Sequence, residues 1–514
     1  MVAWNEHFGK RSEPHFAEPP WTKESSEWKK LDGWLPLDHV ARRMVRAVEM
    51  LDLSRLFASY SAGGSDALRP DLLLRIVLIE VWLGRQRPSQ WFRDAQENAV
   101  LQWAGLGIHP SRSTWYNFRD RQGPFLDAWL RQVLQIAREQ GVTPGRRGSL
   151  DGSLLAANAS RHRLLNEERL AKRREALAKS CAYDGRGQAL ELVPAWMAKT
   201  SRTRIAQAHR YERAHARLHE FQATNQRQNP ARRRPQARIV VSATDPESGL
   251  GPDKQKVFRP LYNLQLLRDL DSLLTLTFDV FAQHTDGGTL HPLLRRVRKT
   301  MRLPLAELAA DASYVTACNL AICEKENVTL YGPWQENDYS DRGRDGRHRM
   351  IPKEQFVWLP KENCYRCPEG HPLKWIGREK RIQGDGQINV MHRYRCSPDH
   401  CRQCTRQTQC TKNPARGRAV KRSEHEDLIV AHRARMETEE AKAIYRLRKQ
   451  TVELAYADLK ENRHLRNFSG RGLTRARIEA GLNELARDLI ILEGKLRDHG
   501  IHNRTPKGPS LWLC

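Results

Sequence analysis

The chain is 514 residues long and contains 87 Lys and Arg against 60 Asp and Glu, which gives it a formal net charge of +27 at pH 7. At about 100–200 residues per domain, this length predicts about three or four structural units. The 39% of hydrophobic residues suffices for sizeable cores and excludes wholesale disorder. The charge excess predicts a polyanionic partner, because each Lys or Arg set against a phosphate releases a condensed counterion.

The hydropathy pattern predicts no membrane partner. Residues 1–28 lack the apolar run of a signal peptide, and the most apolar stretch, residues 72–83, is too short to span a bilayer. Six of the ten cysteines lie within residues 364–410. Without a secretory signal, such clustering predicts metal binding rather than a disulfide framework, and a cytoplasmic location.

The N-terminal quarter of the chain is predicted to be helical. We expect residues 1–37 to form a flexible arm and residues 38–143 to form a helical DNA-binding domain, since apolar residues recur at helical spacing. A Ser- and Thr-rich turn precedes a short helix that carries Arg119 and Arg121. That helix could read DNA in a helix-turn-helix arrangement, or it could be an ordinary turn of a helical bundle with exposed arginines.

An α/β core is predicted to begin next, over residues 144–334. It opens with a short strand that ends on Asp151. From residue 238 to residue 331, predicted strands come first in series and then alternate with helices, which indicates a mixed sheet.

A basic helical insertion is predicted within this core, over residues 155–237. Residues 161–238 contain 19 Lys and Arg against 7 Asp and Glu, a net charge of +12. Such a run could be a solvated face. Because it supplies nearly half of the whole excess charge, we favour a surface that contacts DNA.

A Cys-rich insertion is predicted over residues 335–435. It contains two Cys-x-x-Cys pairs, Cys364 with Cys367 and Cys401 with Cys404. Each pair could present two thiolates to one structural Zn²⁺. Reduced buried thiols and a redox or disulfide arrangement remain alternatives.

The second part of the core is predicted over residues 436–497 as a long helix, an Arg-Gly segment and a final helix, and residues 498–514 are predicted to be a tail. On the long helix, Glu453 and Lys460 fall on one stripe, about 10 Å apart along the helix axis.

Three acids stand out by context. Asp151 and Asp311 each end a predicted strand, and Glu453 lies within the long helix. Carboxylates so placed suit Mg²⁺, and two such ions can activate a water or a 3′-hydroxyl at a phosphodiester. The alternative is structural: each Asp caps a helix, and Glu453 pairs with Lys449.

An ordered set of motifs carries a family resemblance. In chain order these are Asp151-Gly-Ser, Ala156-Ala-Asn-Ala-Ser, Ser242-Ala-Thr-Asp-Pro-Glu, Tyr262-Asn-Leu-Gln, Ala310-Asp-Ala-Ser-Tyr, Tyr445-x-x-Arg448 with Glu453 and Lys460, and Arg471-Gly-Leu-Thr-Arg-Ala-Arg. Over about residues 38–495, the chain resembles the DDE transposases of bacterial insertion sequences, closest to the group named after insertion sequence 1182.

The resemblance implies an RNase H-like core in which Asp151, Asp311 and Glu453 hold two Mg²⁺ (or Mn²⁺) ions. It also implies a set of residues that contact the transposon end near the scissile phosphate: Tyr445, Arg448 and Lys460. The positive charge of the following Arg-Gly segment lies beside Glu453, so its arginines are predicted DNA contacts as well: Arg471 and Arg475.

The chain departs from the family pattern at two places. Ser313 stands where the family often has Gly, and Leu454 stands where a Pro is common. Two further acids, Asp245 and Asp286, precede Pro or Gly and are predicted to lie in turns, outside the catalytic triad.

The leading hypothesis is a nucleoid-associated DNA transposase. It would bind terminal inverted repeats in double-stranded DNA as a homodimer, cut at the ends of the element and join them to target DNA. A metal-dependent nuclease without strand transfer is the first alternative. A DNA-binding regulator, in which the acids are structural, is the second.

Overall fold

The computed structural model describes residues 13–187, 193–228, 230–334, 350–382 and 387–498. The predicted tail after residue 498 and the first part of the predicted Cys-rich insertion lie outside the described residues. None of the helices within these ranges is long and apolar enough to cross a membrane.

Residues 13–140 are mainly helical, and the prediction of helices over residues 38–143 agrees with this. Their elements are β1 (Phe16–Ala17), α1 (Ser26–Trp34), α2 (Val40–Glu49), α3 (Ser54–Phe57), β2 (Ala67–Leu68), α4 (Pro70–Trp82), α5 (Pro88–Glu97), α6 (Ala99–Ala104), α7 (Arg112–Gln122) and α8 (Leu126–Glu139).

The described part of the predicted flexible arm is folded onto these helices. β1 pairs with β2 in parallel, and α1 occupies residues that were predicted to be arm. Trp28 of α1 stacks on Trp103 at a ring distance of 6.1 Å and donates its indole N–H to the Trp103 carbonyl oxygen. The prediction was wrong for these residues because isolated tryptophans gave no periodic signal, although their burial anchors the segment.

The central part of the chain forms a mixed α/β layer. Its elements are β3 (Arg147–Ala156), β4 (Leu164–Leu165), α9 (Glu167–Gly185), α10 (Ser201–Gln226), β5 (Val241–Ser242), β6 (Gly249–Pro252), β7 (Phe258–Asp269), β8 (Thr275–Phe281), α11 (Leu290–Arg295), β9 (Glu307–Ala310), α12 (Ala317–Lys325) and β10 (Thr329–Tyr331).

Six of these strands form one sheet in the order β10-β9-β3-β7-β6, with β8 also pairing with β7. β3 is central: it pairs antiparallel with β7 and parallel with β9. β7 is buried along almost its whole length, as expected of a strand covered on both faces. The predicted mixed sheet is therefore confirmed.

The predicted basic insertion is a hairpin of two helices, α9 and α10, which pack through Leu170, Leu177, Tyr211 and Leu218. A capping box at Thr200 begins α10. Several cations of the hairpin are paired with acids, among them Arg174 with Glu212, Arg204 with Asp184 and Arg217 with Glu220. The net charge thus overstates the number of cations free for a partner.

A second, antiparallel sheet follows, in the order β11-β12-β13-β14-β15. Its strands and short helices are β11 (Val357–Leu359), β12 (Cys364–Arg366), β13 (Pro372–Ile382), β14 (Ile388–Cys396), α13 (Pro398–Arg402), α14 (Gln407–Cys410) and β15 (Ala419–Ser423). The sequence analysis did not predict these strands, because Arg and Lys occupy many of their outward positions.

The C-terminal part is helical. It comprises α15 (Glu426–Met436), α16 (Glu439–Arg448), a π-helix (Lys449–Glu453), α17 (Leu454–Ala457), a second π-helix (Asp458–Asn462) and α18 (Leu473–Asp498). The predicted long helix thus exists, but two π-helical turns interrupt it. Such turns often occur at functional sites.

Helix α18 unites the N-terminal helices with the main sheet. It packs against α2, α4 and α8 on one side and against β8 on the other, within one continuous hydrophobic core. The sequence analysis divided these regions into separate domains. They share a core because α18 is apolar on more than one face, so a single helix can bury both neighbours.

Glu493 of α18 is a polar link in this core. Its side chain is 1% exposed and accepts hydrogen bonds from Arg43 and Arg46 of α2, each at 2.7 Å. Glu493→Gln is expected to lower the free energy of unfolding by about 1.5–3 kcal/mol, because a charged acceptor between two cations is lost. Urea denaturation measures the change. Glu49→Gln, at an exposed ion pair with Arg75, should cost less than about 1 kcal/mol, and equal losses would contradict this role of Glu493.

Candidate active site

Two of the three predicted acids lie side by side on the main sheet. Asp151 is the fifth residue of β3, and Asp311 follows directly after β9. Leu150 is in register with Ala310 on these parallel strands. Because parallel neighbours in register reach the same level of a sheet, the next residue of each strand carries its carboxylate to the same edge.

The third acid is brought to this edge by the helical stretch that carries it. Thr451 and Ser149 of β3 are hydrogen-bonded through their hydroxyls at 2.6 Å. The buried Tyr456 hydroxyl lies 2.9 Å from the carbonyl oxygen of Asp151 and 2.8 Å from that of Leu264. These contacts fix the π-helix that ends at Glu453 against the centre of the sheet.

Arg448 lies between two acids of the triad. Its Nη2 is 3.2 Å from Asp151 Oδ1, and its Nη1 is 2.7 Å from Glu453 Oε1. The Arg448 side chain is 9% exposed, whereas that of Glu453 is 46% exposed. The guanidinium thus provides a buried positive charge at the acid cluster, and Glu453 faces solvent.

The acid cluster carries unbalanced negative charge. Burial raises the pKa of Asp151 to about 6; Arg448 and the Gly152 N–H oppose that rise, and the Asp311 and Asp286 carboxylates add to it. One buried guanidinium therefore does not neutralise the cluster. Further positive charge would be stabilised there.

Asp286 belongs to this cluster, although the sequence analysis placed it in a turn outside the triad. It lies in the loop after β8, and its Oδ1 accepts hydrogen bonds from Asn263 Nδ2 at 3.0 Å and from Gln265 Nε2 at 2.8 Å. Asn263 and Gln265 are two residues apart on β7, so they share one face of the sheet. The Tyr-Asn-Leu-Gln motif could have indicated a partner such as Asp286, because two amide side chains on one face of a strand need polar groups to bond with.

Two predicted DNA contacts also lie at the cluster. Lys460 Nζ donates to Ser153 Oγ on β3 at 2.6 Å. Burial lowers the pKa of Lys460, as do nearby cations, and Asp151 opposes the change. Burial raises the pKa of Tyr445, and all three predicted acids lie within electrostatic range of its hydroxyl. The structure therefore gathers Tyr445, Arg448 and Lys460 around the triad.

Two of the arginines predicted to contact DNA pair with one acid, Asp120 of α7: Arg119 is buried, whereas Arg475 is exposed. Arg119 of α7 is 3% exposed and its Nη2 is 2.8 Å from Asp120 Oδ1. Arg475 of α18 pairs with the same acid at 2.8 Å. The prediction for Arg119 is contradicted, because a buried guanidinium paired between α7 and α18 does not face a DNA backbone.

The other two predicted arginines lie at the surface. Arg121 donates to the Ser59 carbonyl oxygen at 2.7 Å and lies over the Tyr60 ring. Arg471 is exposed and lies near Arg210 of the basic hairpin: burial lowers the pKa of Arg210, and Arg471 lowers it further. Arg471 thus joins the hairpin in one basic surface, whereas Arg121 serves the packing of α7.

The donor set at the acid cluster fits a hard divalent cation by its chemistry. Asp151, Asp311, Asp286 and Glu453 offer carboxylate oxygens, which Mg²⁺ and Mn²⁺ prefer. Within the described ranges, no three His, Cys, Asp or Glu side chains are already arranged to enclose a metal ion. Since Arg448 bridges Asp151 and Glu453, an ion bound between these two acids would require its guanidinium to move.

Five cysteines in and beside the second sheet lie within electrostatic range of one another, among them Cys367, Cys401 and Cys404 of the predicted pairs. Cys364 Sγ is 3.6 Å from Glu362 Oε2. Burial raises the pKa of Cys396 to about 12, and the thiols of Cys401, Cys367 and Cys410 add to the rise. Cys404 acts on the pKa of Cys410 in the same direction, so it belongs to this group of thiols as well.

Two family models match the chain. Residues 366–490 match the transposase DDE domain, and residues 29–121 match the transposase domain DUF772. No curated protein matches the chain. The DDE match includes Glu453 but begins after Asp151 and Asp311 in the chain. Together the matches support a DDE transposase.

Proposed function

We propose that this chain is a DNA transposase, of the group named after insertion sequence 1182, that cuts and joins DNA at Asp151, Asp311 and Glu453. The observation that carries the proposal is the convergence of these acids from β3, the end of β9 and a π-helix, inside a chain that matches two transposase families. We propose an RNase H-like core and a cytoplasmic, nucleoid-associated location with it. The central position of β3, between an antiparallel and a parallel neighbour, supports the RNase H-like core.

The residues of the cluster would act on a phosphodiester in distinct ways. Divalent ions held by the carboxylates would supply activation of a water or a 3′-hydroxyl and stabilisation of the leaving oxygen. Lys460 would contact the phosphate, and Arg448 would join it once its guanidinium leaves Asp151 and Glu453. Tyr445 lies beside them. Burial of Arg448 strengthens its electrostatic contact, because the surroundings screen its charge less than water does.

The basic hairpin would hold the DNA that leads to this site. Arg471 and Arg210 lie together where the hairpin approaches the start of α18. Arg213 of α10 pairs with Glu247, whose other oxygen accepts the Leu473 N–H at 2.8 Å. These contacts fix the hairpin to the start of α18. We propose that terminal inverted repeats bind across the hairpin and the acid cluster, in a homodimer.

DNA that flanks the coding sequence provides the test. The full-length protein, with Mg²⁺ or Mn²⁺, is incubated with duplexes that contain these flanking sequences and with a target plasmid. The proposal expects cuts at the element's ends and joined products in the plasmid. Cuts without joining would favour a nuclease, and binding with neither reaction would favour a regulator.

We also propose that the thiol group of the second sheet holds a structural Zn²⁺. The two Cys-x-x-Cys pairs predicted the ligands to be Cys364, Cys367, Cys401 and Cys404. The electrostatic coupling of five thiols supports four ligands drawn from a revised set: Cys367, Cys396, Cys401, Cys404 and Cys410. Backbone N–H groups of His371 and Arg418 already point at the sulfurs of Cys367 and Cys401, at 3.3 and 3.4 Å. Such hydrogen bonds would stabilise thiolates.

The zinc proposal predicts one Zn²⁺ per chain by elemental analysis of protein purified without chelators. Cys401→Ser is expected to lose the metal and to lower the melting temperature, because metal-binding free energy adds to folding free energy. Cys364→Ser, in the same sheet but outside the thiol group, should keep the bound Zn²⁺ and the wild-type melting temperature. A wild-type protein without zinc would leave the cysteines as reduced thiols.

A further inference from the structure

We propose that Asp286 is a fourth carboxylate of the active site and binds a catalytic divalent ion through its Oδ2. This inference rests on the proposed function, because it assumes that the cluster of Asp151, Asp311 and Glu453 holds such an ion. Neither the resemblance nor the family matches assign a role to Asp286.

The hydrogen bonds of Asp286 orient its carboxylate toward the cluster. Oδ1 is held by two amide groups, those of Asn263 and Gln265. Gln265 is held in turn by the buried Tyr314 hydroxyl, which donates to Gln265 Oε1 at 2.6 Å. A carboxylate with one oxygen fixed by two donors cannot rotate freely, so the direction of its second oxygen is also fixed.

The second oxygen is available to a ligand. The Ser313 hydroxyl is 3.4 Å from Asp286 Oδ2 but 2.6 Å from Asp311 Oδ1, so its single hydrogen goes to Asp311. Among the described residues, no shorter hydrogen bond reaches Oδ2. Ser313 thus lies between the two acids, and Oδ2 of Asp286 faces the same space as the Asp311 carboxylate.

Glycine at position 152 makes this approach feasible. A Cβ added to Gly152 would overlap with Asp286 Oδ1 and with Gln265 Nε2. The residue next to Asp151 therefore has no side chain where the Asp286 loop meets β3. Close contact between the loop and the strand is built into the backbone, independently of the hydrogen bonds.

Several negative groups share this space with a single buried cation. Asp151, Asp311 and Asp286 are within electrostatic range of one another, and Arg448 contacts only the first of these three. A carboxylate that merely capped a turn would gain nothing from this proximity, because like charges repel. A bound divalent ion would turn the repulsion into attraction.

Mn²⁺ binding by the full-length protein tests the proposal. Asp286→Asn keeps an oxygen acceptor for Asn263 and Gln265 and removes only the charge. Its Kd for Mn²⁺, measured by electron paramagnetic resonance with and without the flanking duplex, is expected to rise about tenfold or more. The control is Asp245→Asn: Asp245 is a buried acid that accepts from Tyr262 and Gly472 through Oδ1 alone, and its variant should bind Mn²⁺ as the wild type does.

A thiol at the same position provides a second variant. Asp286→Cys is expected to bind Cd²⁺ more tightly than the wild type does and to favour it over Mg²⁺, because thiolate is a soft ligand. Unchanged Mn²⁺ affinity in Asp286→Asn, with normal folding and an active wild type, would overturn the role of Asp286 alone. A wild type that neither binds Mn²⁺ nor cuts DNA would overturn the proposed function as well.

Discussion

An Asp151→Asn variant is expected to lose DNA cleavage and joining by roughly 10³-fold or more, with its fold retained. The amide oxygen can still accept the Gly152 N–H, which is 2.9 Å from Oδ1 in the wild type. The negative charge that would hold a divalent ion is lost. Glu453→Gln should behave alike, since the Glu453 side chain is half exposed and contributes little to packing.

The measurement is the rate of strand cutting and of joined product with the flanking duplex, alongside thermal melting of each variant. Glu461→Gln is the matched control, because Glu461 lies on the same helical stretch but pairs with the exposed Arg466. It should cut DNA at the wild-type rate. Normal cutting by Asp151→Asn or Glu453→Gln would show that the triad is misassigned.

Arg268→Met is expected to have the largest effect on stability. Arg268 of β7 lies 2.5 Å from Glu484 and 3.8 Å from Asp488 of α18, and all three side chains are at most 1% exposed. Burial raises the pKa of Asp488 to about 7, and Arg268 opposes the rise. Removing the cation leaves two acids in a dry core, so we expect a loss of about 3–5 kcal/mol in the free energy of unfolding.

Urea denaturation followed by tryptophan fluorescence measures this loss. Arg147→Met, on the neighbouring strand and paired with the partly exposed Asp271, is the control and should cost less than about 1 kcal/mol. Adding Glu484→Gln to Arg268→Met should recover part of the stability, because one unpaired buried charge is removed. Equal effects of Arg268→Met and Arg147→Met would show that the buried pair does not join α18 to the sheet.

The sequence predicted the elements that carry the triad. β9 and the helical stretch around Glu453 were predicted within a few residues, because each has a local signal: an apolar run that ends on an acid, or helical spacing. β3 was predicted to end on Asp151, but it continues to Ala156 because residues 152–156 still pair with β7. The π-helical turns were not predicted, since they depend on how the stretch docks on β3 through Thr451 and Tyr456.

The sequence predicted less well those features that depend on long-range contacts. Arg119 looked like a surface cation of a short helix, and it is buried where α7 packs against α18, a helix that begins more than 350 residues later. The second sheet went unpredicted because most of its strands carry charged residues that weaken the alternating pattern.

By itself, the sequence determined that this chain is strongly basic, has a mixed α/β core and carries three context-marked acids, two after predicted strands and one within a predicted helix. These properties follow from composition and from periodicity within short segments. Only the tertiary structure decided that Asp286 joins those acids, that Arg448 bridges two of them, and that α18 unites the helical region with the sheet. Each of these depends on residues far apart in the chain, which local patterns cannot bring together.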